Sequence, residues 1–378
     1  MHPIVIVGSG LAGYTLLKEI RKRDATTPVT LVTADDGAFY SKPNLSNAFA
    51  TGRTAAALAS ASAEKMAVEQ NATVRTRTRV TAIDTQARCI RTDNGVLEYS
   101  KLVLALGADP FPHGLTGSGA ANVLAVNDLA DYTAFRTAID GKKRITVLGG
   151  GLIGCEFAND LVHAGFVVDV VHLGDWPLER LLPGEAGQRL ADSLAALGVN
   201  WHFGRSGKSV ERTSSGYQVV LDNGDTIEAD VVLSAIGLKP RTQLALAAGI
   251  PVGRGIQTNG LLETGTQDVY AMGDCAEVEG LNLPYVQPLM VQARALAATL
   301  TGTPTPVVYP AMPVMVKTPA HPVAVLPPKI GVAGGWKVEC GDTGICALHV
   351  HDSGRLQGFV LTGGETGRRT TLIKELAA

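Results

Sequence analysis

Ile4-Val5-Ile6-Val7-Gly8-Ser9-Gly10-Leu11-Ala12-Gly13 joins a short aliphatic run to a glycine-rich turn. The pattern returns at Ile145-Thr146-Val147-Leu148-Gly149-Gly150-Gly151-Leu152-Ile153-Gly154. A run of this kind ending at glycine reads as a buried strand of a parallel sheet. A helix-compatible stretch follows each turn, and then a second apolar strand: Val29–Val32 in the first case, Val167–Val171 in the other. A single GxGxxG is weak evidence, because glycine-rich turns are common. Two copies, each between a strand and a helix, predict two Rossmann-like α/β folds that each hold a dinucleotide.

The glycines have mechanical work. Gly8 makes the tight turn, Gly10 lets backbone approach a pyrophosphate, and Gly13 lets helix and strand pack closely. The helix start adds free N–H groups and a partial positive charge. A dinucleotide site also wants an acid about 20 residues on, to bond ribose hydroxyls. Asp35 fits, just past the second strand, with Asp36 as the alternative; either could instead be a solvated loop acid. Gly273-Asp274 closes another strand candidate, Asp268–Asp274. In a chain with two dinucleotide motifs, such an Asp suits a ribityl hydroxyl of FAD.

Lys101–Ala108 and Asp230–Gly237 repeat one shape, a strand ending at a glycine turn. The simplest layout therefore inserts the second unit into the first. FAD-type residues 1–112 and 237–318 flank an NAD-type insert at 113–236, with Pro110, Pro112 and the Gly237–Pro240 stretch at the crossings. Beyond these, Cys346–Val350 and Leu356–Leu361 are strand candidates around the turn Asp352-Ser353-Gly354, and 363–376 looks helical. Residues 319–378 are thus expected to form a small C-terminal α/β cap.

Composition narrows the function classes. With 33 basic and 35 acidic side chains, the charge balance argues against a nucleic-acid binder. No apolar stretch is long enough to span a bilayer. The start shows no secretory leader, and the five scattered cysteines form neither a zinc pattern nor a disulfide framework. The expectation is a cytoplasmic protein with reduced thiols.

The whole chain resembles the two-dinucleotide-binding flavoprotein family, and within it the bacterial rubredoxin reductases. The segments that carry the resemblance are GSGLAGY at 8–14, TADDGAFYSKPNLS at 33–46, LVLALGADP at 102–110 and LGGGLIGCEFANDL at 148–161. SAIGLKPRT at 234–242, YAMGDCAEVEGLNLPYVQPLM at 270–290 and VKTPAHP at 316–322 complete it. The resemblance implies FAD held by Gly8, Ser9, Gly10, Leu11, Ala12, Gly13, Ala34, Asp35, Lys42, Pro43, Val80, Ala105, Gly107, Asp274, Val286 and Lys317. It implies NADH at Gly149, Gly151, Leu152, Ile153, Gly154, Glu156 and Gly237. On this view Lys42 and Lys317 put positive charge near the flavin, and Glu156 stands in the first helical turn, facing the nicotinamide.

Two positions depart from the family. Where many relatives carry a lysine able to pair with the nicotinamide-side glutamate, this chain has Asn47, which puts such an ion pair in doubt. The acid that usually ends the second strand of an NADH site is replaced by His172, with Asp175 nearby. None of the cysteines stands where disulfide reductases place theirs, so the expected route has no protein thiol. NADH would reduce FAD, and single electrons would leave for rubredoxin or a similar small iron–sulfur carrier. Lys317, Lys329, Arg368, Arg369 and Lys374 are candidates for a basic landing zone. The alternatives are another acceptor (a flavorubredoxin, a ferredoxin or a nitrite reductase) and a non-catalytic NADH sensor.

Overall fold

Aliphatic side chains on both faces of Ile4–Val7, Val29–Val32 and Lys101–Leu104 leave these strands nowhere to lie but inside a covered parallel sheet. The computed structural model, which describes residues 2–329 and 331–377, places them there. The chain divides into two units. Three helices flank the glycine turns and the sheet ends: α1 (Leu11–Arg23), α2 (Leu152–His163) and α3 (Val286–Leu300).

The first unit comprises Met1–Lys42, Ala56–Asp109 and Leu238–Pro310. Its five-stranded sheet runs in the order Val269–Ala271, Lys101–Leu104, Ile4–Val7, Val29–Val32, Thr73–Arg75, with every pairing parallel. Val5, Ile6, Leu102 and Val103 are fully buried, each contributing roughly 1.5–3 kcal/mol. Helices α1 and α3 pack against one another. The parallel register brings the strand ends at Val7, Leu104 and Ala271 to one edge, where a doubly wound fold binds its ligands.

The second unit comprises Pro43–Ala55, Pro110–Gly237 and Ala311–Ala378. Its parallel sheet runs Val199–Phe203, Val167–His172, Arg144–Leu148, Val231–Ser234. The tail forms a five-stranded sheet in the order Val314–Val316, Val323–Leu326, Leu356–Thr362, Ile345–Val350, Gly335–Cys340. A short 3-10 turn, Gly363–Arg368, precedes the last helix, Arg369–Ala377.

One hydrophobic cluster runs from Val147, Leu161 and Val170 of the nucleotide fold to Val316, Val325 and Val360 of the tail. The tail and the nucleotide fold therefore share a core. Residues 43–55 join the same unit through Phe49, whose ring meets Tyr132, Phe135 and Phe166 edge-on. The buried carboxylate of Asp160 on α2 accepts from the backbone N–H of Phe49 (2.7 Å) and of Ala50 (2.9 Å).

Candidate dinucleotide sites

Both glycine turns have the same construction. In the first, Gly8 takes φ +119°, and a Cβ there would overlap the Ala105 carbonyl oxygen. A Cβ at Gly13 would overlap the Gly8 carbonyl oxygen, so α1 can lie this close to the strand only with glycine at that position. In the second, Gly149 takes φ +105°, with a Cβ falling 2.6 Å from the Ala235 carbonyl oxygen, and a Cβ at Gly154 would overlap the Gly149 carbonyl. The middle glycines differ from these. Around a Cβ at Gly10 or Gly151 there is nothing within 4 Å. Each is the N-cap of its helix, and neither α1 nor α2 has a side-chain cap or an acid in its first turn. Open space beside uncapped N–H groups is a cradle for an anion. Leu11 and Ala12 open α1, as Leu152 and Ile153 open α2.

In the first unit, Asp35 Oδ1 accepts from Ser9 Oγ (2.9 Å), Thr33 Oγ1 (2.6 Å) and the Gly37 N–H (2.8 Å). All three fall on one oxygen, which leaves Oδ2 of this exposed residue turned to no partner among the described residues. Ala34 is exposed beside it. Gly273, at φ +75°, would place a Cβ 2.9 Å from Ala12 Cβ, and its N–H donates to Gln292 Oε1 of α3 at 2.7 Å. Asp274 is thereby held beside the start of α1. Burial raises its carboxyl above the ordinary range, and the nearby Lys42 ammonium opposes the rise. Ala105 is buried at the end of its strand and Gly107 turns the chain at φ +72°. Val80, half-buried, begins a strand, and Val286 begins α3 with its side chain exposed.

In the second unit, Glu156 is buried and both its oxygens accept hydrogen bonds. Its Oε1 accepts from the Lys317 N–H (2.9 Å), and its Oε2 accepts from Lys317 Nζ (2.9 Å) and from Ser46 Oγ. Lys317 Nζ also donates to Ser46 Oγ (3.2 Å) and to the Pro43 carbonyl. Two expectations change here. Because Gly151 is the N-cap and the helix begins at Leu152, Glu156 lies in the second turn. An ion pair also exists despite Asn47, because Lys317 arrives from a segment 161 residues away in sequence. Ser46, Asn159 and Asp160 were not picked out by sequence reading. Asn159 Oδ1 accepts from the Ala320 N–H at 3.3 Å, so one face of α2 grips both the 43–50 and the 317–320 segments. Gly237 takes φ +113° and is exposed at the end of its strand.

The thiols are quiet. Cys155 and Cys275 are buried, and burial pushes both up, Cys275 to about 11. Cys275 Sγ accepts from the Leu106 N–H at 3.3 Å, and Cys155 Sγ donates to the Gly150 carbonyl at 3.4 Å. Each packs beneath a turn as a small apolar group.

Residues 2–297 match the family described as pyridine nucleotide-disulphide oxidoreductase. Residues 306–376 match the rubredoxin binding C-terminal domain. The chain is 50% identical over 379 residues to the rubredoxin-NAD(+) reductase of Alcanivorax borkumensis, covering 100% of this chain and 99% of that protein. It is 39% identical over 374 residues to the nitric oxide reductase FlRd-NAD(+) reductase of Aeromonas salmonicida, covering 99% and 96%. Among solved structures, a ferredoxin reductase from Rhodopseudomonas palustris superposes with TM-score 0.88 at 25% identity, over 96% of this chain and 91% of that one.

Proposed function

The chain belongs to the pyridine nucleotide-disulphide oxidoreductase family, and on that premise we propose that it is an NADH-dependent flavoprotein reductase of rubredoxin-type carriers. The observation that carries the reading is the pair of matching glycine turns, each with open space beside an uncapped helix start. The end-to-end kinship with rubredoxin-NAD(+) reductases and the rubredoxin-binding tail supply the acceptor.

Bound FAD would supply the conversion of a two-electron hydride donor into single electrons for the carrier. The protein's part is to bind and orient. In this assignment the N–H groups at the start of α1 hold the FAD pyrophosphate, Asp35 Oδ2 takes the ribose hydroxyls, and Asp274 takes the ribityl chain. Lys42 balances the Asp274 charge. The start of α2, with Gly151, Leu152 and Ile153, holds the pyrophosphate of NADH. Glu156 acts as a strut. The Lys317 N–H, the Lys317 ammonium and Ser46 all bond its two oxygens, and it fixes the Lys317 ammonium. The high thiol positions of Cys155 and Cys275 keep sulfur out of the electron route.

Among the described residues no helix is long and apolar enough to cross a membrane, and we place the protein in the cytoplasm. The acceptor is a free rubredoxin in preference to the rubredoxin domain of a nitric-oxide-reducing flavoprotein, since identity to the former reductases is the higher. Steady-state NADH oxidation with each purified carrier tests this. The fastest turnover is expected with rubredoxin; faster turnover with a flavorubredoxin or a ferredoxin would overturn the choice of acceptor.

A further inference from the structure

The second nucleotide fold lacks the usual acid at the end of its second strand, and His172 cannot replace it. The Nδ1 of His172 accepts from the Gly150 N–H at 3.1 Å, its Nε2 is buried, and its Cγ lies 2.9 Å from where a Gly150 Cβ would stand. Burial holds the imidazole below its ordinary range, which keeps it neutral. The ring is committed to the glycine turn. It offers no acceptor to a ribose hydroxyl and no charge against a phosphate.

The loop that follows carries a carboxylate back to the same place. The backbone of residues 172 and 174 is pinned to the end of the neighbouring strand by the Arg205 N–H on His172 O (3.0 Å) and the Gly204 N–H on Gly174 O (3.1 Å). The loop then returns, and the Leu178 N–H donates to the Gly150 carbonyl at 2.9 Å. Leu178 is buried and holds φ +59°, a conformation costing a non-glycine residue about 1–2 kcal/mol. The next residue is Glu179. Its carboxylate rests on the α-carbon of Gly174, where any Cβ would overlap Oε2 and Cδ and would sit 2.8 Å from Oε1. Glu179 is exposed and has no hydrogen-bond or ion-pair partner among the described residues, while its charge is felt by His172. A strained residue, a glycine two residues beyond the strand end that clears the space, and an unpaired acid seven residues beyond it form one device.

We propose that Glu179 is the residue that binds the adenosine ribose of the nicotinamide dinucleotide and selects NADH against its 2′-phosphorylated form. A carboxylate accepts from the 2′- and 3′-hydroxyls and repels a 2′-phosphate. The proposal rests on the assignment of NADH to the second fold.

The test uses the flavin-loaded protein and two fragments without a nicotinamide ring, ADP-ribose and 2′-phospho-ADP-ribose, titrated by calorimetry. Glu179→Gln is expected to weaken ADP-ribose by about tenfold, the loss of a charged hydrogen bond. It should narrow the preference over 2′-phospho-ADP-ribose by at least as much. Gly174→Ala, which displaces the carboxylate without removing it, should reproduce both effects. Unchanged binding in Glu179→Gln would overturn the proposal, as would the same loss appearing in Asp175→Asn alone. If the parent protein binds neither fragment, the two-nucleotide reading falls with it.

Discussion

The two glycine turns share a backbone and differ in what stands behind it. In the first unit the turn leans on a polar lattice, Ser9 and Thr33 converging on Asp35, so the acid lies directly after the strand. In the second, His172 matches Thr33 in register and is spent on Gly150, Gly174 stands where Asp35 would, and the carboxylate that rests on it comes from Glu179. The lesson is that the glycine positions are dictated by backbone overlap, which leaves no choice of residue. The ribose acid needs only to arrive, and the loop length can vary.

The comparison breaks most cleanly at Gly13 and Gly154, where a Cβ would strike a carbonyl oxygen of its own turn. Gly13→Ala is expected to purify without flavin. Gly154→Ala should stay yellow and lose reduction by NADH. Each loss should be at least about a hundredfold, since rigid backbone must move; absorbance after gel filtration and anaerobic mixing with NADH check the pair. Equal flavin loss in both variants would show that the turns do not hold separate ligands.

Next in size is Lys317→Met. It leaves the buried Glu156 carboxylate without its cation, and urea unfolding should show a loss of roughly 3–5 kcal/mol. Replacing Glu156 with Leu in the same chain should restore most of it; no restoration would show that Lys317 stabilises by packing alone. Smaller is Asp35→Asn, which weakens the acceptor for Ser9, Thr33 and ribose together. It should reduce flavin affinity by about tenfold in equilibrium dialysis. An effect on NADH affinity with flavin unaffected would reverse the assignment of the two sites.

The smallest effect separates the thiols. Cys340 is exposed and the other four cysteines are buried. At pH 8 a disulfide reagent should label Cys340 rapidly and leave Cys275 untouched. The Cys275 thiol is raised to about 11, so its thiolate fraction grows only as pH climbs toward that value. Fast labelling of Cys275 at pH 8, read by mass spectrometry, would reopen a sulfur route for electrons.

What could be read from the chain follows the range of the interactions. Strand, glycine turn and helix are set by neighbours within ten residues, and both turns were legible for that reason. Asp35 was legible because its lattice closes over 26 residues to Ser9. The Glu156–Lys317 pair was not, since its partners are 161 residues apart and Asn47 pointed the other way. The first-turn reading of Glu156 failed because the helix starts after Gly151 as N-cap, which moves the residue one turn on. The core shared by the tail and the second nucleotide fold was equally hidden, because apolar strands do not announce which neighbour they cover. Glu179 carried one faint signal: a glycine at 174 in a loop otherwise rich in large side chains.

The most direct measurement is an anaerobic titration of the freshly purified protein with NADH, followed by oxidised rubredoxin, read in the visible spectrum. Two separate dinucleotide turns predict a yellow protein that bleaches with one NADH per flavin and regains its colour as the carrier is reduced. A colourless preparation that fails to take up added FAD, or a yellow one indifferent to NADH, would contradict the account.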